Sequence, residues 1–173
     1  MRLHRHLVVK NEEIYWRNII FGVEDGLVST VGLLSGVAAA GIPKETILIT
    51  GVILVFVEAF SMGIGSLLTE ISVEELQSHR EMPLRQSILS GIVMFFSYLF
   101  AGFVPILPYL LFSTNVALIM SIILSIFALI LLGVVSAKIF KVPVVRHSLE
   151  IAILGAFAII IGVLVANLMK LNV

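Results

Sequence analysis

The chain contains no cysteine. Disulfides, thiolate metal sites and cysteine nucleophiles are therefore excluded, and the redox state of the compartment leaves no mark on the sequence. Charge is scarce too. Asp, Glu, Lys and Arg make up 13% of the 173 residues, and the two signs balance to zero net charge. No basic surface invites a nucleic acid as partner. The four histidines lie at helix ends or in loops, and no Ser/His/Asp or paired-His constellation falls within an apolar segment. An enzyme is not expected, and neither is a prosthetic group. The start, MRLHRHLVVKNEE, lacks a short apolar core followed by a small-residue cleavage site, so no removable signal peptide is read there.

What the chain has in abundance is hydrocarbon. Hydrophobic residues make up 60% of it, with a mean hydropathy of +1.15. A soluble domain of this size could not hide that much apolar surface, so the expectation is an all-α polytopic membrane protein. A span needs about 20 mostly apolar residues. Five such segments are present, at about residues 18–41, 46–69, 85–107, 115–137 and 148–169, forming one transmembrane domain with a short acidic connection at 70–84. Pro43, Pro83, Pro105, Pro108 and Pro143 all lie in or beside the breaks, as befits a residue that disrupts helix interiors. Of the 11 Lys and Arg residues, all but Lys44 and Lys170 fall on one side of this arrangement. By the bias of basic residues toward the cytoplasm, the N-terminus is expected inside and the C-terminus outside or lumenal.

Against that background the stretch FGVEDGLVST, Phe21 to Thr30, stands out, because Glu24 and Asp25 are adjacent acids within an apolar run. Glu58 is a third acid, in the second span. Each such residue costs about 2.5–3.5 kcal/mol at the bilayer centre on insertion scales. At a rise of about 1.5 Å per residue, Asp25 lies ~10 Å from the inner end of its span and Glu58 ~18 Å from the outer end of the next. The two helices run in opposite directions across a core of about 30 Å, so these acids are expected at similar depths. Met62 follows Glu58 by four residues and shares its helix face. Gly22, Gly26, Ser29, Gly32 and Gly36, with Ser61, Gly63, Gly65 and Ser66, allow helices to approach closely, and the first two spans are expected to pack around the acids. No Lys or Arg within the spans neutralises them, Arg17 and Arg85 being placed at helix ends where they can snorkel to the interface.

Two carboxylates held together repel unless one is protonated or a cation lies between them. Oxygen ligands alone suit Mg²⁺ or Ca²⁺, whereas a thioether among them favours a first-row ion such as Fe²⁺, Mn²⁺ or Co²⁺. Metal must displace protons from the carboxylates, which couples binding to pH. The plainer reading is that Met62 fills space, that a single acid is protonated and bonded to a backbone carbonyl, and that Glu24 faces another helix or the headgroups. Beyond Thr69, the stretch EISVEELQSHREMP has no helix breaker before Pro83, so the second helix can continue. Its acids Glu70, Glu74, Glu75 and Glu81 would either collect cations at the mouth of a pathway or form a solvated helix end with Glu–Arg pairs. His4, His6 and His79 are weak metal candidates. Lys138, Lys141, Arg146 and His147 are read as topology anchors or headgroup contacts, with Glu150 pairing to Arg146 one turn earlier.

The segment RNIIFGVEDGLVSTVGLLSGVAAAG resembles the first helix of the vacuolar iron transporter family, with its DG-L-V-S/T element. FSMGIGS resembles the SM-containing motif of that family's second helix, and PLRQSILSGIVMFFSYLFAGFVPILPYLL resembles its third. LLGVVSAKIFKV and the helix after it resemble the fourth and fifth, so the likeness runs from Trp16 onward. It implies a homodimeric exporter of Fe²⁺, often also Mn²⁺, driven by protons, with the ion path at the subunit interface. It also implies metal ligands at Asp25 and Met62. The family commonly has Asn where Glu24 stands, Glu where Ser66 stands, and a small residue where Glu58 stands. A carboxylate relocated from one side of Met62 to the other accounts for the last two together. The long metal-binding insertion of some members, between the second and third spans, is here reduced to a short connection.

The expected function is a divalent-metal/proton antiporter, with Asp25, Met62, Glu58 and Glu24 in the membrane and Glu70 and Glu74 at its mouth. Its partners would be the metal ion, the lipid bilayer and a second copy of the chain. Two rivals remain: a proton-coupled carrier of another cation or solute, and a non-transporting membrane scaffold. The membrane would be the cell membrane in a prokaryote, or that of a vacuole or another organelle in a eukaryote.

Overall fold

The computed structural model describes residues 2–78 and 84–170, with side chains from Glu13 onward except at 74, 77, 78, 84 and 170. His79, Arg80, Glu81 and Pro83 lie outside the described residues, as do the side chains of Glu74, His4 and His6. The described chain is all helix and turn. Its elements are α1 (Arg2–Ala39), α2 (Lys44–Ser78), α3 (Leu84–Phe103), α4 (Leu107–Leu111), α5 (Thr114–Phe140) and α6 (Val144–Lys170). All but α4 are long and apolar enough to cross a bilayer. In hydrocarbon every backbone N–H and C=O must be satisfied within the protein, which leaves helices as the economical form for such segments.

Two breaks show how local sequence sets the helix ends. After α1, Gly41 adopts φ 79°, and its N–H bonds to the Ala38 carbonyl at 2.9 Å while the Ile42 N–H reaches the Val37 carbonyl at 3.4 Å. This pair of bonds closes a helix through a left-handed residue, a conformation glycine adopts without steric cost. After α5 the same device uses Lys141, at φ 57°, with the Val142 N–H bonded to the Ala137 carbonyl at 3.0 Å. A lysine bears the left-handed penalty there. The proline-rich stretch after α3, read from sequence as a simple break, contains the short helix α4. Ser121 of α5 donates its hydroxyl to the Pro105 carbonyl at 2.7 Å, satisfying a group freed by the break.

Helix α1 is the centre of the bundle. In its most apolar stretch 56% of residues are buried, against 17% in α6. It packs on α2, α3, α5 and α6. One buried cluster joins Leu34, Ile47, Val55, Ile106, Tyr109 and Ala117 from α1, α2, the turn before α4, α4 and α5. A second joins Leu27, Ala101, Leu129 and Ile151 from α1, α3, α5 and α6. Large apolar side chains such as Phe60, Phe127 and Leu164 point outward, where a bilayer would surround them.

Helices α1 and α2 touch, as expected, but α3 lies against both of them, is the largest neighbour of α1 and takes most of the packing of α2. The glycines explain why. A methyl group at Gly26 would come within 2.6 Å of the Tyr98 carbonyl oxygen in α3, and one at Gly36 within 2.7 Å of the Gly162 carbonyl in α6. On α2, Gly63 faces Gly91 of α3, where a methyl on Gly91 would lie 2.7 Å from the Gly63 carbonyl. The small residues thus bring α1 against α3 and α6, and α2 against α3. Their spacing marks a contact face without naming the partner.

Candidate ion site

Asp25 sits on the central helix and Glu58 on α2, both half-buried. Their carboxylates are close enough to act on each other, and both act on the hydroxyl of Tyr98, a fully buried residue of α3. The Tyr98 hydroxyl in turn shares a 2.5 Å hydrogen bond with Ser29, one turn beyond Asp25. Asp25 therefore feels negative charge from two sides, Glu58 across the helix interface and Glu24 beside it. Among the described residues neither Asp25 nor Glu58 takes part in an ion pair, and no group of three or more Asp, Glu, His or Cys is gathered as a metal cage. The site within one chain is a carboxylate pair with a phenol and a hydroxyl at its edge. A cation that satisfied this pair would need further ligands.

Met62, one turn along α2 from Glu58, lines a separate cavity of about 360 Å³ nearer the end of the bundle that carries Arg17 and Arg85. Asn18, Ser66, Thr69, Glu70 and Met94 are among its other walls, and neither Asp25 nor Glu58 is. Glu70 is 5% exposed and forms an ion pair with Arg17 of α1. The Arg17 side chain remains 59% exposed while its guanidinium is held by this carboxylate, tying the start of the α1 span to α2. Beside it the buried Asn18 amide donates to the Ser90 hydroxyl of α3, whose oxygen lies 3.3 Å from that of Ser66. A carboxylate buried among apolar helices is tolerable when a cation and hydrogen bonds answer its charge.

Glu24 divides its influence. It acts on Asp25 on one side and faces His147 of α6 on the other. The His147 Nε2 lies 3.0 Å from the Ser136 hydroxyl of α5, so the ring bridges α5 and α6 rather than contacting headgroups alone. Arg146 pairs with Glu150 at 2.8 Å, in the i, i+4 arrangement read from sequence. Sequence reasoning missed Tyr98, Met94, Asn18 and Ser90. A tyrosine, a methionine or a serine within an apolar span carries no signal of its own, and all four become visible only once α3 is placed between α1 and α2.

The VIT family profile matches residues 16–83 and 66–167. This chain belongs to the VIT family. A protein of Tulipa gesneriana named vacuolar iron transporter 1 is 39% identical to it over 59 residues, which cover 34% of this chain and 24% of that relative. The alignment thus spans about a quarter of the relative's length. Asp25, Glu58, Met62 and Glu70 all lie within the first segment of the VIT match, and Met94, Tyr98 and His147 lie within the second.

Proposed function

We propose that the chain is a carrier of divalent transition-metal ions, Fe²⁺ or Mn²⁺, moving them out of the cytoplasm in exchange for protons. The observation that carries this reading is that Asp25 and Glu58 lie within electrostatic reach of each other inside an apolar bundle, with neither in an ion pair among the described residues. Two acids in that setting are stable with a proton or with a cation, and exchange between those states is the elementary step of antiport. Membership of the VIT family and the likeness to a protein named as an iron transporter support metal as the cargo. The Tyr98 hydroxyl, bonded to Ser29, lies within electrostatic reach of both carboxylates.

Two carboxylates do not complete the shell of a first-row ion. A second copy of the chain, related by a twofold axis, would supply the same pair again. The half-buried position of both acids leaves them open to such a partner. In this reading Asp25 is the principal ligand and Glu58 a ligand or proton carrier. Met62 meets the ion on its way, and Glu24 tunes Asp25. With the basic end of the bundle in the cytoplasm, as the charge bias indicates, ions reach the acids by way of the Met62 cavity.

The test is flux in vesicles of the purified chain, with Fe²⁺, Mn²⁺, Co²⁺ and Mg²⁺ as cargo and an imposed pH gradient. Metal movement that follows the gradient and is weakened by Met62→Ala supports the assignment. Transport retained by Glu58→Gln but lost in Asp25→Asn removes Glu58 from the site. A chain that moves no metal at all overturns the proposal.

A further inference from the structure

The same turn is built twice in this chain, with the residue that ends the first helix exchanged. Gly41-Ile42-Pro43 joins α1 to α2, and Lys141-Val142-Pro143 joins α5 to α6. In each, a left-handed residue follows the helix, and the N–H of the residue after it bonds back five positions. In each, the proline carbonyl then accepts an N–H from four residues on, Ile47 in one turn and His147 in the other, both at 3.1 Å. Glycine takes the left-handed conformation freely, whereas a lysine there crowds its Cβ against the following carbonyl. The turn by itself does not call for a lysine. Helices α1 and α6 run side by side in one direction, Gly32 against Ala158 and Gly36 against Gly162. The two turns therefore lie at opposite ends of the bundle and would meet opposite leaflets.

The surroundings of Lys141 indicate what its charge meets. Helices α5 and α6 have 27 residues each. At ~1.5 Å per residue each is about 40 Å long, the thickness of a bilayer with its headgroups, so the turn between them lies at headgroup level. Lys138, in the last turn of α5, and Lys141 are both exposed, and neither takes part in an ion pair among the described residues. Arg146, the next cation along the chain, is already answered by Glu150. Phe140, Val142 and Val145 are exposed among these cations. Apolar side chains set between unpaired ammonium groups match a surface that is hydrocarbon on one side and phosphate on the other.

We infer that the α5–α6 turn holds the headgroup of an anionic phospholipid, with Lys138 and Lys141 on its phosphate and Phe140, Val142 and Val145 against its acyl chains. The inference does not depend on which ion the chain carries. It gives the left-handed lysine a task that glycine could not perform. A cation at the end of α5 also suits the helix dipole, but that contribution is the same in every lipid.

The experiment follows thermal unfolding of the purified full chain in detergent micelles while phosphatidylglycerol or phosphatidylcholine is added, and reads affinity from the shift in melting temperature. The native chain is expected to melt higher with the anionic lipid, and the difference should shrink at high salt. Lys138→Gln and Lys141→Gly are each expected to weaken phosphatidylglycerol binding about fivefold, the scale of one basic side chain at an anionic surface. Lys141→Gly keeps the left-handed turn without strain, so its loss reports the charge and not the fold. Lys141→Arg should retain the preference. Arg85→Gln, which removes the same charge from the start of α3, should leave binding unchanged. Binding indifferent to both lysine substitutions overturns the inference. So does an equal loss in Arg85→Gln, the mark of diffuse surface charge, or an equal shift from glycerol phosphate alone, the mark of a site for a soluble anion.

Discussion

Glu70 and Asp25 are both carboxylates set among apolar helices, and what answers their charge separates them. Glu70 is the more deeply buried, yet it is answered by the Arg17 guanidinium, with the Asn18–Ser90 hydrogen bond alongside. Asp25 is only half-buried, yet its charged neighbours are Glu24 and Glu58. The first arrangement gives up a charge's hydration and recovers it locally. The second leaves a deficit that a proton or a metal ion must fill. Depth of burial alone would rank the two the other way, and it is the sign of the neighbours that separates the answered carboxylate from the unanswered one.

Substitutions at each end of the comparison should therefore have opposite signatures. The largest effect is expected from Asp25→Asn, which should reduce vesicle transport to the level of protein-free vesicles. Its melting temperature in detergent should not fall, because a charge repelled by Glu58 has been removed. A variant that loses stability along with transport would place Asp25 with Glu70 as a structural acid. Arg17→Gln should do the converse in metal-free buffer, lowering the unfolding free energy by about 2 kcal/mol, below the usual range for a broken buried pair because Arg17 is the exposed partner. Chemical denaturation of the two proteins would read this. Asn18→Ala should cost about 1 kcal/mol, and combining it with Ser90→Ala should cost less than the sum, since both remove one hydrogen bond. Smallest of all, Arg146→Gln should leave stability and transport unchanged within error, because its pairing with Glu150 is a solvent-facing one. A measurable loss there would mean that exposed pairs matter in this bundle too, and would blunt the contrast.

The number of long apolar helices was legible because hydropathy is a property of each segment by itself. Helix α2 runs unbroken to Ser78, as the absence of Gly and Pro before Pro83 had indicated. Helix α1 extends back to Arg2, well before the hydropathic span begins, since nothing between Arg2 and Gly22 interrupts it. The similar depth of Asp25 and Glu58 followed from helix rise alone, and the two acids do lie within electrostatic reach of each other. The insertion of α3 was not legible, because glycines at three- and four-residue spacing define a smooth face and say nothing of which helix it receives. For the same reason the cavity that Met62 lines with Glu70, Met94 and Arg17 left no sign in the sequence. The short helix α4 was hidden by its prolines, one of which lies within its first turn, where a missing N–H does no harm.

The contact between Gly63 and Gly91 carries a consequence for motion. At that pair the helices touch backbone to backbone, flanked by Leu67 and Phe95, so a small slide there meets lower ridges than it would between large side chains, while pulling the helices apart forfeits the contacts together. Helix α2 carries Glu58 and Met62 on one side of that seam, and α3 carries Tyr98 and Met94 on the other. Displacement of α2 along its neighbour would thus carry a carboxylate and a sulfur past a phenol and a second sulfur, changing which oxygen and which thioether face each other. The fold offers translation along a rail, in preference to the swing of a door.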